Sequence, residues 1–195
     1  MAAVRTFVIA FLVAGVVAFG LSLLNVYALR HGGQPMPHGD ITMIATFVAG
    51  LALFMAYQRR GNRDAARASL ADERAAKAFA PRPERAVLYV FRDAFFAKLV
   101  GFEFERDGTL VGQTRGKTFY RLDLNPGVHV FASVNPQDGS RQEIRLNLPS
   151  ASLTFLEHEI AFAAKGLNHA LRVVDDVAGR RRVLRCKMLV PMHLN

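Results

Sequence analysis

Hydrophobic and polar positions divide the chain into three parts with different patterns. Residues 6–29 and residues 41–57 are two runs without a charged side chain, separated by a polar loop rich in glycine and proline. A run of about 20 apolar residues suffices to cross a bilayer as an α-helix, and about 17 is the lower limit. The pattern therefore predicts a hairpin of two transmembrane α-helices, forming a two-helix anchor over residues 1–58.

Small residues recur at intervals of three or four positions in both runs, which is the spacing that lets two membrane helices approach closely. They are Ala10, Ala14 and Ala18 in the first run, and Ala45, Ala49, Ala52 and Ala56 in the second. We interpret these alanines as candidate helix-packing positions. The alternative is that alanine is simply common in such segments.

An arginine-rich stretch, Arg59–Arg85, follows the second apolar run. Basic residues beside a span mark its cytoplasmic side, and they also favour contact with the anionic headgroups of a lipid bilayer. We predict a basic juxtamembrane helix or linker at residues 59–84, a bacterial inner-membrane location, and both termini in the cytoplasm. If the short second run does not cross, the rest of the chain lies on the other side.

From residue 85 onward, apolar positions alternate with polar ones, and turn-forming residues interrupt them at short intervals. About eight short segments with turns every 8–12 residues are typical of an antiparallel β-sandwich. Asp175 or Asp176 can cap a short helix near the end of the chain. We therefore predict a mainly-β antiparallel sandwich with a short C-terminal helix over residues 85–195, which folds without the apolar runs.

Short motifs follow one another along this predicted sandwich. They are Tyr89-Val90-Phe91-Arg92, then Asp107-Gly108 and Val111-Gly112, then Tyr120, Pro126-Gly127 and His129. In this order they resemble a bacterial domain-of-unknown-function family, over roughly residues 85–190. The resemblance implies a transthyretin-like or PEGA-like sandwich and no particular chemistry, since no activity is established for the family. Many members are exported lipoproteins, whereas this chain has two apolar runs in place of a lipid anchor.

Charge and cysteine content narrow the classes of function. The chain of 195 residues carries 25 basic and 16 acidic residues, a net charge of +9, and the basic excess per residue is highest in the linker. We expect no nucleic-acid partner, because basic residues directly after an apolar run are more typical of a membrane surface. Cys186 is the only cysteine, which excludes a disulfide framework and a cysteine metal cluster.

Histidines are the residues on which catalysis or metal binding would depend. In Glu157-His158-Glu159, strand alternation places His158 on the opposite face from both glutamates, so the three cannot form one site. We predict that His158 is hydrogen-bonded and partly buried, and that His129 supports the turn beside it. The polar loop contains His31, Met36 and His38 at loose spacing, which we interpret as turn residues. We predict no catalytic residue, no metal and no cofactor.

Two groups of residues are candidates for an interaction surface. The first is aromatic and lies out of phase with the core-facing positions: Phe95, Phe96, Phe119 and Phe131. The second is the basic cluster Arg180, Arg181 and Arg182. The aromatic residues can also cover a sheet edge or pack under the helix, and packing is the interpretation that we favour. The arginines can equally form a solvated face.

The sequence favours a membrane-anchored β-sandwich that acts as a non-enzymatic binding or scaffolding module for an unknown ligand, with a protein partner. The first alternative is an accessory subunit of a larger inner-membrane complex, which contacts that complex through the helix hairpin. The second alternative is an extracytoplasmic envelope protein.

Overall fold

The computed structural model describes residues 15, 18–32, 47–53, 55–56, 62, 65–94, 100–163 and 166–192. The chain divides into two compact units, Met1–Arg60 and Gly61–Asn195. Several residues with a predicted role lie outside the described residues: Ala10, Ala14, Met36, His38, Ala45, Phe95 and Phe96.

In the first unit, residues 15, 18–30, 47–53 and 55–56 are helical. No helix in the described part of the chain is long and apolar enough to cross a membrane. The predicted transmembrane hairpin is therefore wrong, and so is the inner-membrane location with two spans and cytoplasmic termini. Among the alanines predicted to pack helices, Ala18 is half-buried, and Ala49, Ala52 and Ala56 are exposed.

The second unit is mainly β, with a short helix near each end. Its described elements are α1 (Leu70–Ala76), β1 (Ala86–Arg92), β2 (Phe102–Arg106), β3 (Thr109–Thr114), β4 (Thr118–Leu124), β5 (Gly127–Val134), β6 (Arg141–Leu148), β7 (Leu153–Ala163), β8 (Gly166–Val174), α2 (Asp176–Leu184) and β9 (Lys187–Met188). The strands form a five-stranded sheet in the order β8-β7-β1-β4-β9 and a four-stranded sheet in the order β3-β2-β5-β6.

The two sheets face each other around an apolar core to which both contribute, including Leu88, Tyr120 and Leu156 from the first sheet and Phe104 and Phe131 from the second. The prediction of a purely antiparallel sandwich is wrong in one respect. β1 pairs with β7 in parallel, and β4 pairs with β9 in parallel. Residue alternation sets the face on which a side chain lies, but it does not encode the direction of a neighbouring strand.

Helices cover the outer face of the five-stranded sheet and create a second core. Every residue of β1 is buried, because one face packs on the other sheet and the opposite face packs under α1 and α2. The rings of Tyr89 and Phe155 stack there with centroids 5.1 Å apart, and the Tyr89 hydroxyl donates a hydrogen bond to the carbonyl of Ala76 at 2.6 Å. The unit therefore has three layers, one of helices and two of strands.

The stretch predicted as a linker belongs to this unit. Residues 65–68 run beside the C-terminal segment, where the Ala68 amide donates to Met188 and the Val190 amide donates to Ala66. Helix α1 begins only after Ser69, whose hydroxyl caps the amide of Asp72. Further along, the Arg85 guanidinium donates to the Asp123 carbonyl at 2.8 Å. Part of the basic stretch Arg59–Arg85 is therefore bound to the sandwich, and the compact unit begins before the expected boundary at residue 85.

One side of the sandwich is closed by main-chain hydrogen bonds from residues 187–192, which we name the C-terminal seam. The Lys187 and Leu189 amides donate to carbonyls of the strand region at Lys117 and Phe119, both at 2.9 Å. The Met192 amide then donates to the carbonyl of Val111 on β3 at 2.7 Å. The seam thus joins one edge of the five-stranded sheet to one edge of the four-stranded sheet. The opposite side, bounded by β6 and β8, is named the open side.

Candidate functional site

The open side presents two edge strands with different side-chain chemistry. β6 carries three charged residues, Arg141, Glu143 and Arg145, whereas β8 carries only Arg172. Charged residues on an edge strand are one of the devices by which proteins prevent another chain from adding to a sheet. In an antiparallel pair, every second residue of the edge strand directs its amide and carbonyl groups outward. Among the described strands, β8 is therefore a long edge with little protection.

A chain of buried hydroxyl and imidazole groups lies behind this edge and joins the two sheets. His158 on β7 contacts the Thr114 hydroxyl through Nδ1 at 2.7 Å and the Ser133 hydroxyl through Nε2 at 2.9 Å. His169 on β8 contacts the same Ser133 hydroxyl through Nδ1 at 3.1 Å and the Ser140 hydroxyl through Nε2 at 3.2 Å. We name these five residues the histidine latch, because the imidazoles belong to one sheet and the three hydroxyls to the other sheet or its connecting turn.

Burial and a neighbouring cation keep both imidazoles neutral. Burial lowers the pKa of His158 well below its usual value, and the Arg92 guanidinium and His169 lower it further. Burial also lowers the pKa of His169, which is opposed in part by a hydrogen bond with Ser140 and by the charge of Asp138. The latch is thus an uncharged polar cluster inside the sandwich.

The ring of Phe102 lies against three members of this region. Its centroid is 5.1 Å from that of His158 and 4.9 Å from that of His169, and the Arg92 guanidinium lies over it at 5.3 Å. Arg92 is fully buried and donates to the carbonyl of Val100 at 2.7 Å. Burial lowers the pKa of Arg92 to about 10, so that it stays charged at neutral pH.

The sequence predicted part of this site. The prediction that His158 is hydrogen-bonded is confirmed, although its side chain is fully rather than partly buried. His169 was missed, and it lies within β8, which begins at Gly166. The alternation of Leu167, His169 and Leu171 was the available signal that this stretch is a strand.

The aromatic residues of the candidate interaction surface lie inside the fold where the structure describes them. Phe119 packs in the second core under the helices, which was one of the alternatives considered, and Phe131 packs between the sheets. Both side chains are fully buried, so neither contributes to a surface. Phe119 lies on a sheet that is covered on both faces and therefore buries both phases of its strands. Phe131 lies on the core-facing side of β5, whereas Val128 on the same strand is exposed.

The basic cluster on α2 is largely engaged within the chain. Arg180 forms an ion pair with Asp176 at 2.9 Å and lies over the ring of Phe79 at 5.1 Å. Arg182 forms an ion pair with Glu157, and Arg181 is exposed. These contacts indicate that the arginines hold α2 on the sheet, which leaves Arg181 as the member of the cluster that faces solvent.

The remaining residues that the sequence singled out have structural partners. The ring of His129 contacts the carboxylate of Asp107 at 2.7 Å and the carbonyl of Asn125 at 2.9 Å, at the turn beside it. Cys186 is buried just after α2, and its burial raises the pKa of the thiol to about 12. Within the described residues, no group of three or more histidine, cysteine, aspartate or glutamate side chains is arranged to hold a metal ion.

The fold and the site together define a mainly-β protein with one sealed side and one open side. Comparisons of the chain with protein-family models, with curated proteins and with solved structures found no match. The resemblance to a domain-of-unknown-function family with a transthyretin-like or PEGA-like sandwich therefore stays a prediction.

Proposed function

We propose that the chain is a protein-binding module in which β8 accepts an extended segment of a partner protein as an additional strand. The observation that carries the proposal is the contrast among the sheet edges. The seam covers two of them, charged residues line β6, and β8 has nine residues with a single charge. In strand addition, main-chain hydrogen bonds supply affinity and alternate side chains supply specificity.

The charges favour an acidic partner segment over a second copy of this chain. A net charge of +9 makes two copies repel each other, whereas it attracts an acidic segment. On β8, Arg172 and Val173 are both exposed and point to opposite faces of the sheet. A strand that alternates acidic and apolar residues matches both positions, so this is the chemistry that we assign to the partner.

This proposal is one of binding, and it keeps the scaffolding role expected from the sequence without a membrane anchor. The alternative of an accessory subunit that docks through a transmembrane hairpin is not proposed, because no helix in the described part of the chain is long and apolar enough to cross a membrane.

The test uses a synthetic ten-residue peptide in which valine alternates with glutamate. We expect the peptide to bind the full chain and to shift the backbone amide resonances of Gly166–Val174 in an NMR titration. A second peptide with the same sequence carries N-methyl groups at alternate residues, which removes main-chain donors and leaves the charge unchanged. It should bind at least about tenfold more weakly, which corresponds to about 1.4 kcal/mol.

Two matched variants separate strand addition from general charge attraction. Arg172→Glu on β8 should weaken binding of the unmodified peptide about tenfold, whereas Arg145→Glu on β6 changes the net charge equally and should leave binding unchanged. The proposal fails if the N-methylated peptide binds as tightly as the unmodified one, or if the two variants weaken binding equally. It also fails if the chain dimerises through β8 instead, which concentration-dependent shifts of the same resonances would show.

A further inference from the structure

We propose that the histidine latch is a pH-sensitive device that keeps β8 ordered at neutral pH and loosens it in mild acid. Acid should then also weaken binding of the partner segment, because an ordered edge is a better template for an added strand than a mobile one. This consequence rests on the proposed function. The loosening itself does not depend on any partner.

Position in the fold makes the latch suited to this role. The seam joins the sheets through main-chain groups on one side, and the described contacts of the latch join them through side chains on the other. His169 lies on β8 itself, and His158 lies on the neighbouring strand β7. Release of these two imidazoles would therefore free the edge strand from the facing sheet while the far side stays closed.

The donors and acceptors of the latch match when both imidazoles are neutral. Ser140 donates its hydroxyl hydrogen to Nε2 of His169, and Nδ1–H of His169 donates to Ser133. Ser133 then donates to Nε2 of His158, and Nδ1–H of His158 donates to Thr114. Thr114 in turn donates to the Phe102 carbonyl at 3.5 Å. Each hydroxyl and each imidazole donates once in this assignment, which their donor and acceptor capacity allows.

One additional proton can be accommodated on His169 without breaking this chain. Protonated His169 donates to both Ser133 and Ser140, and the Ser140 hydroxyl can turn toward the carboxylate of Asp138, whose backbone partner is already the Ser140 amide at 2.9 Å. Asp138 also favours the positive charge on His169.

A second proton, which would make both imidazoles positive, cannot be accommodated in this way. With His158 and His169 both protonated, the Ser133 hydroxyl would face an N–H donor from each ring, and its own hydrogen would have no acceptor. Ser133 is fully buried, so this hydrogen has no water to bind in the closed structure. A buried donor without an acceptor is costly, and the chain is expected to open instead.

The charged groups around the latch oppose a positive charge on His158. Arg92 on β1 and His169 on β8 both disfavour it, while Glu157 and Glu159 lie on the opposite face of β7. For His169, Arg92 disfavours the charge and Asp138 in the turn before β6 favours it. The described surroundings thus provide a counter-ion for His169 and a like charge for His158.

Hydrogen exchange of the full chain, measured at pH 7.5 and pH 5.5 without any peptide, tests the latch. After correction for the intrinsic exchange rate, protection of the β8 amides should fall at least tenfold at the lower pH, and protection of β1 and of the seam should change little. His169→Gln keeps an amide nitrogen or oxygen near Ser140 but does not titrate, so the variant should show a smaller pH effect on β8. His129→Asn removes a histidine outside the latch and should leave the effect intact.

Equal protection of β8 at both pH values would overturn the latch, as would an equal loss in β8, β1 and the seam, which indicates global destabilisation. If His169→Gln does not fold, Ser133→Ala replaces it and should remove the pH effect by the same reasoning.

The valine–glutamate peptide then separates the two proposals, because its glutamates stay ionised at pH 5.5. Loosening of β8 without any peptide binding refutes the proposed function alone. If the peptide binds equally tightly at pH 5.5 and pH 7.5, the latch does not regulate peptide binding.

Discussion

On one side of the sandwich, amide groups of Lys187, Leu189 and Met192 bind carbonyls of both sheets, so that the main chain itself closes the fold. On the other side, His158 and His169 bind hydroxyl groups of the facing sheet. Main-chain amides and carbonyls do not titrate in the physiological range, whereas an imidazole changes its charge there. The seam is therefore insensitive to pH, and the proposed latch is the side that senses it.

The largest effect is expected from the seam. Leu189 is buried in the core between the sheets, and its amide is one of the seam donors. Leu189→Ala leaves a cavity and should lower the free energy of unfolding by about 2–5 kcal/mol. Denaturant unfolding at pH 7.5 and pH 5.5 measures this loss.

The loss caused by Leu189→Ala should be the same at both pH values, because no titrating group is removed. A seam variant whose loss disappears in acid would contradict the proposed division between the two sides.

The second effect concerns pH in the unmodified chain. Because burial lowers the pKa of His158 below its unfolded value of about 6.5, the unfolded state binds a proton more readily. The contribution to stability is therefore complete above about pH 6.5 and declines as the pH falls below that value. Between pH 7.5 and pH 5, His158 can account for a decline of at most about 2 kcal/mol, because the unfolded state takes up one proton per histidine with a pKa of about 6.5.

Thermal or denaturant unfolding across this pH range measures the decline. His158→Asn should reduce the decline. If the free energy of unfolding depends on pH in His158→Asn as it does in the unmodified chain, other groups cause the acid sensitivity.

The sequence predicted those features that depend on neighbouring residues. Asp107-Gly108 is a turn-forming pair, and both residues have positive φ, at 49° and 78°. Asp175 caps α2 through the amide of Ala178, as its position before a short helix indicated. Turn and cap chemistry are local, so a single sequence carries them.

Features that depend on distant residues could not be predicted. Thr114, Ser133, Ser140, His158 and His169 come from separate strands and a turn, and no spacing along the chain brings them together. The apolar runs before residue 58 misled for a related reason. Apolar composition indicated spans, but no helix in the described part of the chain is long and apolar enough to cross a membrane.

The third effect concerns the centre of the latch. Ser133→Ala removes the hydroxyl that lies between the two imidazoles and leaves one nitrogen of each ring without its partner. We expect a loss of about 1–3 kcal/mol at neutral pH, which is typical of unsatisfied buried polar groups. Urea unfolding measures the loss, and Ser152→Ala provides a control, because that hydroxyl is exposed and bonds locally to the Pro149 carbonyl at 2.5 Å.

The smallest effect is expected at the edge itself. Arg172 pairs with Glu159 at 3.4 Å, but both side chains are largely exposed, at 69% and 43%. An exposed ion pair contributes little, so Arg172→Gln should change the free energy of unfolding by less than about 0.5 kcal/mol at either pH. Denaturant midpoints measure this difference, provided that the unfolding free energy depends equally on denaturant concentration in both proteins. If stability is unchanged, any loss of peptide binding in the variants at this position reports on the binding edge and not on folding. A loss above about 1 kcal/mol would mean instead that Arg172 helps to hold β8 on the sheet, and that the edge and the latch are not independent.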